Sequence, residues 1–452
     1  MASDLLSIAA SGARAARGAL DVTAQNIANA ASDGYVRRTA RMEEVSAAGG
    51  QLRMGDMSLS GVRISGIHRN ADMFRQSEVR RATSDASRGA AELAGLQNIE
   101  ASIEHADVFG AIVEFEASLQ QLTSNPVDPS LRAAVTADAQ AMANKFNIAA
   151  SSLAAAGEGM RFNAQAGVDE ANVIGPELAR VNLRLARAGA ESSDRATLLD
   201  QRDLLLEKLG GITDIATTFN ADGSVAVALG AGGSGGSQPF VTGGSSTALA
   251  MTTASDGTIG FTAGGNAFTP TGGALAGNAG ALAEVAATRT RLNGLADDVA
   301  DAVNTAQIGG TALDGSAGVP MFTGTGTGNG AAGITLAFTD GALLATAPGG
   351  SLPGSRDTGA LDGLRQALDS GGIAQGANSL LFDVSSKVAG RKITQDALVS
   401  IASAARISLE EQSGVDLDAE AANLIRFQQA FQASGRAMQV ATDIFDTLLG
   451  IG

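Results

Sequence analysis

The sequence predicts a mainly α-helical protein with an inserted β-rich domain. Both ends of the chain carry long Pro-free runs whose apolar residues recur at alternating spacings of three and four, the pattern of one helix face. At Gly210-Gly211 the composition turns abruptly to Thr, Gly, Ser and Val, with period-two runs such as Ser224-Val-Ala-Val-Ala-Leu229. Helical pattern resumes after that stretch, so the strands are looped out of a helical body whose amino and carboxyl halves come together.

Segment 1–75 opens with an Ala-rich helix in which Leu6, Ala9, Ala13, Ala16, Leu20, Thr23, Ile27 and Ala30 form one seam of coiled-coil period. Gly34 supplies the backbone freedom for its stop, and the chain then reads as extended and turn-rich to residue 75. Segment 76–210 is helical, broken at Asn125-Pro-Val-Asp-Pro129, a turn that also starts the next helix. Segment 211–278 is the β-rich insertion, 279–307 is helical again, and 308–360 is Gly/Thr-rich with little periodicity. Helices return over 361–412. In the last segment, 413–452, Leu417, Leu424, Phe431, Met438 and Phe445 recur every seven residues, with Ala421, Gln428, Gly435, Thr442 and Leu449 interleaved. Asp416 suits its N-cap, and Asp418 and Glu420 suit its first turn. Periodicity alone is equally compatible with terminal helices that complete an ordinary helical core.

A chain of 452 residues is long enough for two or three domains. With 31 Lys plus Arg against 47 Asp plus Glu, its net charge of -16 repels phosphate backbones and anionic lipid, which argues against nucleic acid as a partner. Cysteine is absent, so the fold stands without disulfides or thiolate metal sites. No stretch approaches the roughly 20 apolar residues of a membrane span. Met1-Ala-Ser-Asp-Leu-Leu-Ser-Ile lacks the basic and apolar regions of a cleaved secretory signal, so export is expected to use another route.

Chemistry-bearing patterns are thin. Gly230, Gly232 and Gly235 spell G-x-G-x-x-G, but Gln238-Pro239 and a further Gly/Ser cluster follow where a phosphate site needs a helix N-terminus. Gly232-x-Ser234-x-Gly236 imitates a hydrolase elbow within low-complexity sequence. His68 and His105, the only histidines, lack a second His at ligand spacing and are read as surface residues. Asp297, Asp298 and Asp301 are read as a solvated helix face. The expectation is a protein without catalytic residues, cofactor or metal. A secreted adhesive or carbohydrate-binding protein is the competing class, with 211–275 as its working domain. Its aromatic supply there is limited to Phe219, Phe240, Phe261 and Phe268.

The segment Asn26-Ile-Ala-Asn29-Ala-Ala-Ser-Asp-Gly34-Tyr35-Val-Arg37-Arg38 resembles the signature that follows the first helix of the flagellar axial proteins, the rod, hook and hook-associated subunits. The stretch from Ser413 through Asn423 to Leu449 resembles their carboxyl-terminal signature. Leu198-Leu-Asp-Gln-Arg202-Asp203-Leu-Leu-Leu-Glu-Lys-Leu-Gly210 resembles a stretch of the hook-associated branch that rod and hook subunits lack. Leu292 to Asn304, running into Asp314 to Phe322, and the span from Phe109 to Phe146 add to that likeness. The likeness covers most of the chain outside about 215–275 and 323–380.

The resemblance implies a coiled-coil-like terminal helix pair forming an inner layer, a central helical bundle around it and an outward β domain. The implied role is structural, a subunit that joins hook to filament by self-assembly through its terminal helices. The implied assembly seam is Leu6, Ala13, Leu20, Ile27, Leu417, Leu424, Phe431, Met438 and Phe445. The family-motif residues are Asn26, Asn29, Gly34, Tyr35, Arg37, Arg202, Asp203 and Asn423. Implied partners are a ring of copies of the chain itself, hook protein, a second junction protein, the flagellin filament and an export chaperone. The implied location is extracellular, on the flagellum, after type III export. A hook or distal rod subunit is the alternative within the family.

Overall fold

The structure is a computed structural model, and it describes residues 2–46, 59–230, 233, 236–326 and 330–449. Helix α1 (Ala2–Asn29) leads into an antiparallel hairpin of β1 (Arg38–Ser46) and β2 (Leu59–Arg69), in register from Arg38 opposite Arg69. Three helices follow, α2 (Met73–Ala106), α3 (Val108–Leu122) and α4 (Pro129–Leu185), then α5 (Ser193–Ile212). The turn at Asn125–Pro129 starts a helix as the sequence implies, and Asp72 and Ser192 supply two further caps. Asp72 accepts from the Phe74 and Arg75 amides, Asp128 caps α4 ahead of Pro129, and Ser192 caps α5.

One break inside 76–210 was not visible as a Pro or Gly. Asp107 adopts a left-handed conformation, closes α2 by donating its N–H to carbonyls of the last turn, and accepts the Gly110 amide to open α3. A short polar side chain tolerates that backbone better than most, and one residue serves two helix ends.

The β insertion comprises β3 (Ile215–Phe219), β4 (Val225–Leu229), β5 (Gln238–Thr242) and β6 (Ser245–Ser246) in one antiparallel sheet of that order. A second sheet holds β7 (Leu249–Thr253), β8 (Ile259–Ala263) and β9 (Asn266–Phe268). Val225, Val227 and Leu229 alternate inward and meet Phe240, Phe261 and Phe268, together with Leu178, Leu206 and Leu209 of the helices, in one core.

Helix α6 begins at Gly273, not at 279, and runs to Ile308. Its opening is Gly-rich and looks like loop. Those glycines are close-approach residues: a Cβ on Gly273, at φ +73°, would lie 2.3 Å from the Ile212 carbonyl carbon, and one on Gly277 2.3 Å from the Arg88 carbonyl oxygen.

The 308–360 stretch forms β10 (Gly310–Thr311), β11 (Phe322–Thr323), α7 (Gly330–Gly333), β12 (Thr335–Leu336) and β13 (Ala347–Pro348), in two small antiparallel pairs, β10 with β13 and β11 with β12. Despite its lack of period it plugs the main core, with Met321, Phe322, Ile334 and Leu344 fully buried among Phe115, Phe146, Leu292 and Val303. Helices α8 (Gly359–Ser370) and α9 (Ile373–Ser413) close that core, and α10 (Leu417–Leu449) ends the chain.

Side-chain amides on helices tie the irregular segments down. Asn182 accepts from the Val225 N–H and donates to the Val225 and Gly243 carbonyls, and Asn172 brackets Leu249 in the same way. Asn304 accepts from Met321 and Phe322 and donates back to the Phe322 carbonyl, while Asn147 donates to Ala331 and Ile334. Arg132, almost wholly buried, donates to the Pro126, Gly341 and Leu344 carbonyls and the Thr346 hydroxyl, and burial pulls its guanidinium pKa down.

Candidate functional site

Helices α1 and α10 pack along one another. Gly12 lies beside Ser434, while Arg37 beyond the end of α1 reaches Glu420 at the start of α10, so the two run antiparallel. The contact is made of small residues. A Cβ on Gly12 would stand 2.9 Å from Ser434 Oγ, and Ala9, Ala13, Ala16 and Thr23 are buried on α1. A second face of α1, carrying Ala15, Ala19, Val22 and Asn26, is also buried, and Gly18 comes against Ile64 of β2. Each Ala buries about one methyl, so close backbone approach takes the place of bulk.

The proposed seam residues divide in this structure. Ala13 is buried and Leu20, Leu424 and Met438 are half-buried, whereas Leu6, Ile27, Leu417, Phe431 and Phe445 are exposed. The interleaved row differs from the sequence expectation. Ala421, Gln428 and Thr442 are exposed, Gly435 is half-buried, and the Leu449 side chain lies outside the described residues. The row that faces inward is Glu420, Phe427, Ser434 and Ala441, on the other side of the Leu/Phe/Met row. Periodicity weighs apolar character alone, while here Glu420 is buried through an ion pair and Ser434 is half-buried through its fit against Gly12.

The motif residues converge where this terminal unit meets the body. Asn26 donates from Nδ2 to the Arg38 carbonyl (2.8 Å) and accepts at Oδ1 from the Arg38 N–H (3.0 Å) and the Tyr35 hydroxyl (2.8 Å). The chain leaving α1 is thus clamped into β1, and Gly34, at φ +74°, makes the turn between them. Arg38 lies 4.9 Å from the centre of the Tyr35 ring and pairs with Asp200 at 2.8 Å. Arg69, its cross-strand partner, pairs with Asp200 at 2.6 Å and with Asp203 at 2.7 Å. Asp203 also accepts from Arg202 at 2.6 Å and from Gln76 at 3.0 Å. Arg202 itself lies over Phe219 and donates to the Gly223 carbonyl, linking α5 to the β insertion. Arg37 pairs with buried Glu420 at 2.7 Å, and its backbone bridges Ser413 and Asn70.

Charge at this joint is buried and shared. Burial pushes Asp203 upward, and Arg69 and Arg202 together outweigh it and hold the carboxyl below its usual range. At Asp200 burial prevails over Arg69 and Arg38, and the carboxyl stands above its usual range. Burial likewise raises the Tyr35 phenol, against the opposing pull of Arg38. Removing one partner strands a charge that is largely withdrawn from water, so the joint acts as a unit.

Two motif residues lie apart from it. Asn29 donates to the Gln25 carbonyl one turn back along α1, and Asn423 is half-buried within α10. Sequence reasoning missed Arg38, Arg69, Asp200 and Glu420 as joint residues. Arg38 and Asp200 stand inside the motif segments, and in the sequence Glu420 carries only the signal of a helix-dipole charge.

For catalysis or sugar binding the arrangement offers little. His68 and His105 are exposed, and among the described residues no three His, Asp or Glu side chains group to hold a metal. The glycine patterns around 230–236 lie partly outside the described residues. Asp297 does more than face solvent, accepting the Gly326 amide at 2.9 Å. Phe240, Phe261 and Phe268 are core residues and Phe219 lies beside Arg202, so none is a free stacking platform.

A chain whose two ends close into one helical pair, with large apolar side chains uncovered along it and a rigid body hung from a charged joint, is built as a subunit of a structural assembly. Residues 93–322 match the family described as "Flagellar hook-associated protein FlgK helical domain", and residues 408–451 match "Flagellar basal body rod FlgEFG protein C-terminal". The first match spans just over half of the chain, which belongs to the flagellar hook-associated protein FlgK family and is a structural protein, not an enzyme. It is 26% identical to Flagellar hook-associated protein 1 of Escherichia coli (strain K12) over 99% of this chain and 100% of that one. It is 28% identical to the protein of the same name from Bacillus subtilis (strain 168), over 47% of this chain and 44% of that one. In fold it is similar to the flagellar hook junction protein FlgK from Burkholderia pseudomallei, with a TM-score of 0.65, 14% identity, and 75% of this chain and 100% of that one covered.

Proposed function

We propose that the chain is the adaptor subunit that joins hook to filament, assembling as a ring of copies through its terminal helices. The observation that carries this reading is the uncovered apolar face of the α1–α10 pair, with Leu5 at 52%, Leu417 at 53% and Phe445 at 50% exposure. A lone chain gains nothing by exposing such residues, whereas neighbouring copies bury them at roughly 1.5–3 kcal/mol each. Its neighbours on this reading are copies of itself, hook protein, a second junction protein and the flagellin filament. It reaches an extracellular position through the flagellar exporter, with a dedicated chaperone. The match over 93–322 favours this adaptor over a hook or distal rod subunit. Electron microscopy of flagella from cells lacking the gene tests it. Hooks without filaments, and flagellin released into the medium, are the expected result, and normal filaments on the hooks would refute it.

A further inference from the structure

A cleft of about 900 Å³ opens beside the joint, between the 30–36 turn, the start of α2, α5 and the end of α9. Its lining is unbalanced in charge. Asp33, Asp203, Glu207, Glu410, Glu411 and Asp416 face Arg80 and Arg406 alone. Four are already engaged: Asp203 with Arg69 and Arg202, Glu207 and Glu410 with Arg406, and Asp416 with the first amides of α10. Asp33 and Glu411 are exposed at the rim. On the same lining Gln76 is 6% exposed; its Nε2 donates to Asp203, while its Oε1, a buried acceptor, has no hydrogen-bond donor among the described residues. An acceptor left in that state costs free energy that an incoming N–H group would recover.

We propose that this cleft receives a Lys- or Arg-bearing segment of an adjoining protein subunit. An acidic rim, an unpaired acceptor and room for an extended side chain suit a guanidinium or ammonium group on a protein chain. A bare metal ion is disfavoured, because no three carboxylates among the described residues converge on one point. The assembly reading supplies only the neighbour's identity; the preference for a cationic side chain stands without it.

Tyr35 lines the cleft and is the only tyrosine in a chain without tryptophan, so its emission reports occupancy. The test titrates the full chain with an acetylated, amidated tetra-arginine peptide and follows Tyr35. The expected result is a saturable one-to-one change, weakened about tenfold in Asp33→Asn/Glu411→Gln. The exposed control pair Glu114→Gln/Glu158→Gln leaves it unchanged. Equal weakening by the control pair would reduce the effect to the net charge of the chain and overturn the proposal. So would the absence of saturable binding, or the same Tyr35 change with calcium alone. Hooks that still lack filaments, with no peptide response, would refute the cleft and leave the adaptor reading standing.

Discussion

Asn182 occupies an interior helix position, where asparagine has no intrinsic advantage, and its amide takes the place of a neighbouring strand for Val225. Asn26 does the same for Arg38, Asn172 for Leu249 and Asn304 for Phe322. Replacing Asn182 by Ala leaves the Val225 N–H without its partner and removes a donor from two carbonyls. Asn182→Ala is therefore expected to lower stability by about 1–3 kcal/mol, read as a shift in the midpoint of the body's denaturant transition at unchanged m-value. A shift below about 0.5 kcal/mol would mean that water substitutes freely. None of this was legible, because a polar residue in a helical pattern looks like a solvated one until its partner strand is placed. Tyr35 was legible as a motif residue, but its clamp was not. With its phenol pKa raised above the usual 10 by burial, phenolate absorbance should appear at higher pH in the folded chain than in denaturant. The phenol is then protonated preferentially in the native state, so stability is full below pH 10 and falls as pH rises through the folded pKa. Coincident folded and unfolded titrations would place the hydroxyl in free solvent.

Helices were the most legible elements, because long stretches of apolar residues at spacings of three and four have no strand interpretation. Their ends were legible where Asp or Pro marks them, as at Asp128-Pro129 and Asp416, whereas the caps at Asp72 and Ser192 were not singled out. The start of α6 was hidden by glycines placed there for close approach, and 308–360 by burial that follows no period because it plugs a gap between helices. On α10 the Leu/Phe/Met row was visible, while the small and charged row beside it depends on Gly12 and Arg37, which no local pattern connects to it. Phe431, 43% exposed in the single chain, provides the test of what that row does. Phe431→Asp should leave thermal unfolding of the monomer within about 0.5 kcal/mol of wild type, because an exposed position tolerates charge. In an assembled contact the same carboxylate is desolvated without a partner, at several kcal/mol per interface, so filaments on hooks should be lost. Normal filaments on that mutant would refute assembly through this face.

Across the whole molecule two units differ in what holds them. The terminal unit of α1, the hairpin and α10 buries mostly alanine, with Ala13, Ala15, Ala16, Ala19 and Ala441 among its interior residues. The body buries Phe115, Phe146, Leu119, Met142, Ile112 and their neighbours in a core to which α2, α3, α4, α6, α8 and α9 all contribute. A buried methyl contributes about 0.8 kcal/mol and a buried Leu or Phe about 1.5–3, so the terminal unit is the weaker of the two. Between them stand the ion pairs of Arg37, Arg38 and Arg69, which hold geometry while offering little net stability against their own desolvation. Calorimetry of the intact chain should therefore resolve two transitions, the lower from the terminal unit and the upper from the body. Limited proteolysis below the first should trim the ends to a core of roughly 40–410, since cleavage follows local unfolding. Phe115→Ala, at a site with no exposure, should destabilise the upper transition by about 3–5 kcal/mol and leave the lower one in place. Ala19→Asp, buried between α1 and its neighbours, should remove the lower transition while the upper persists. A single transition in the wild-type chain, shifted alike by both substitutions, would mean that the joint couples the units into one cooperative fold, and the terminal helices could not then order separately on assembly.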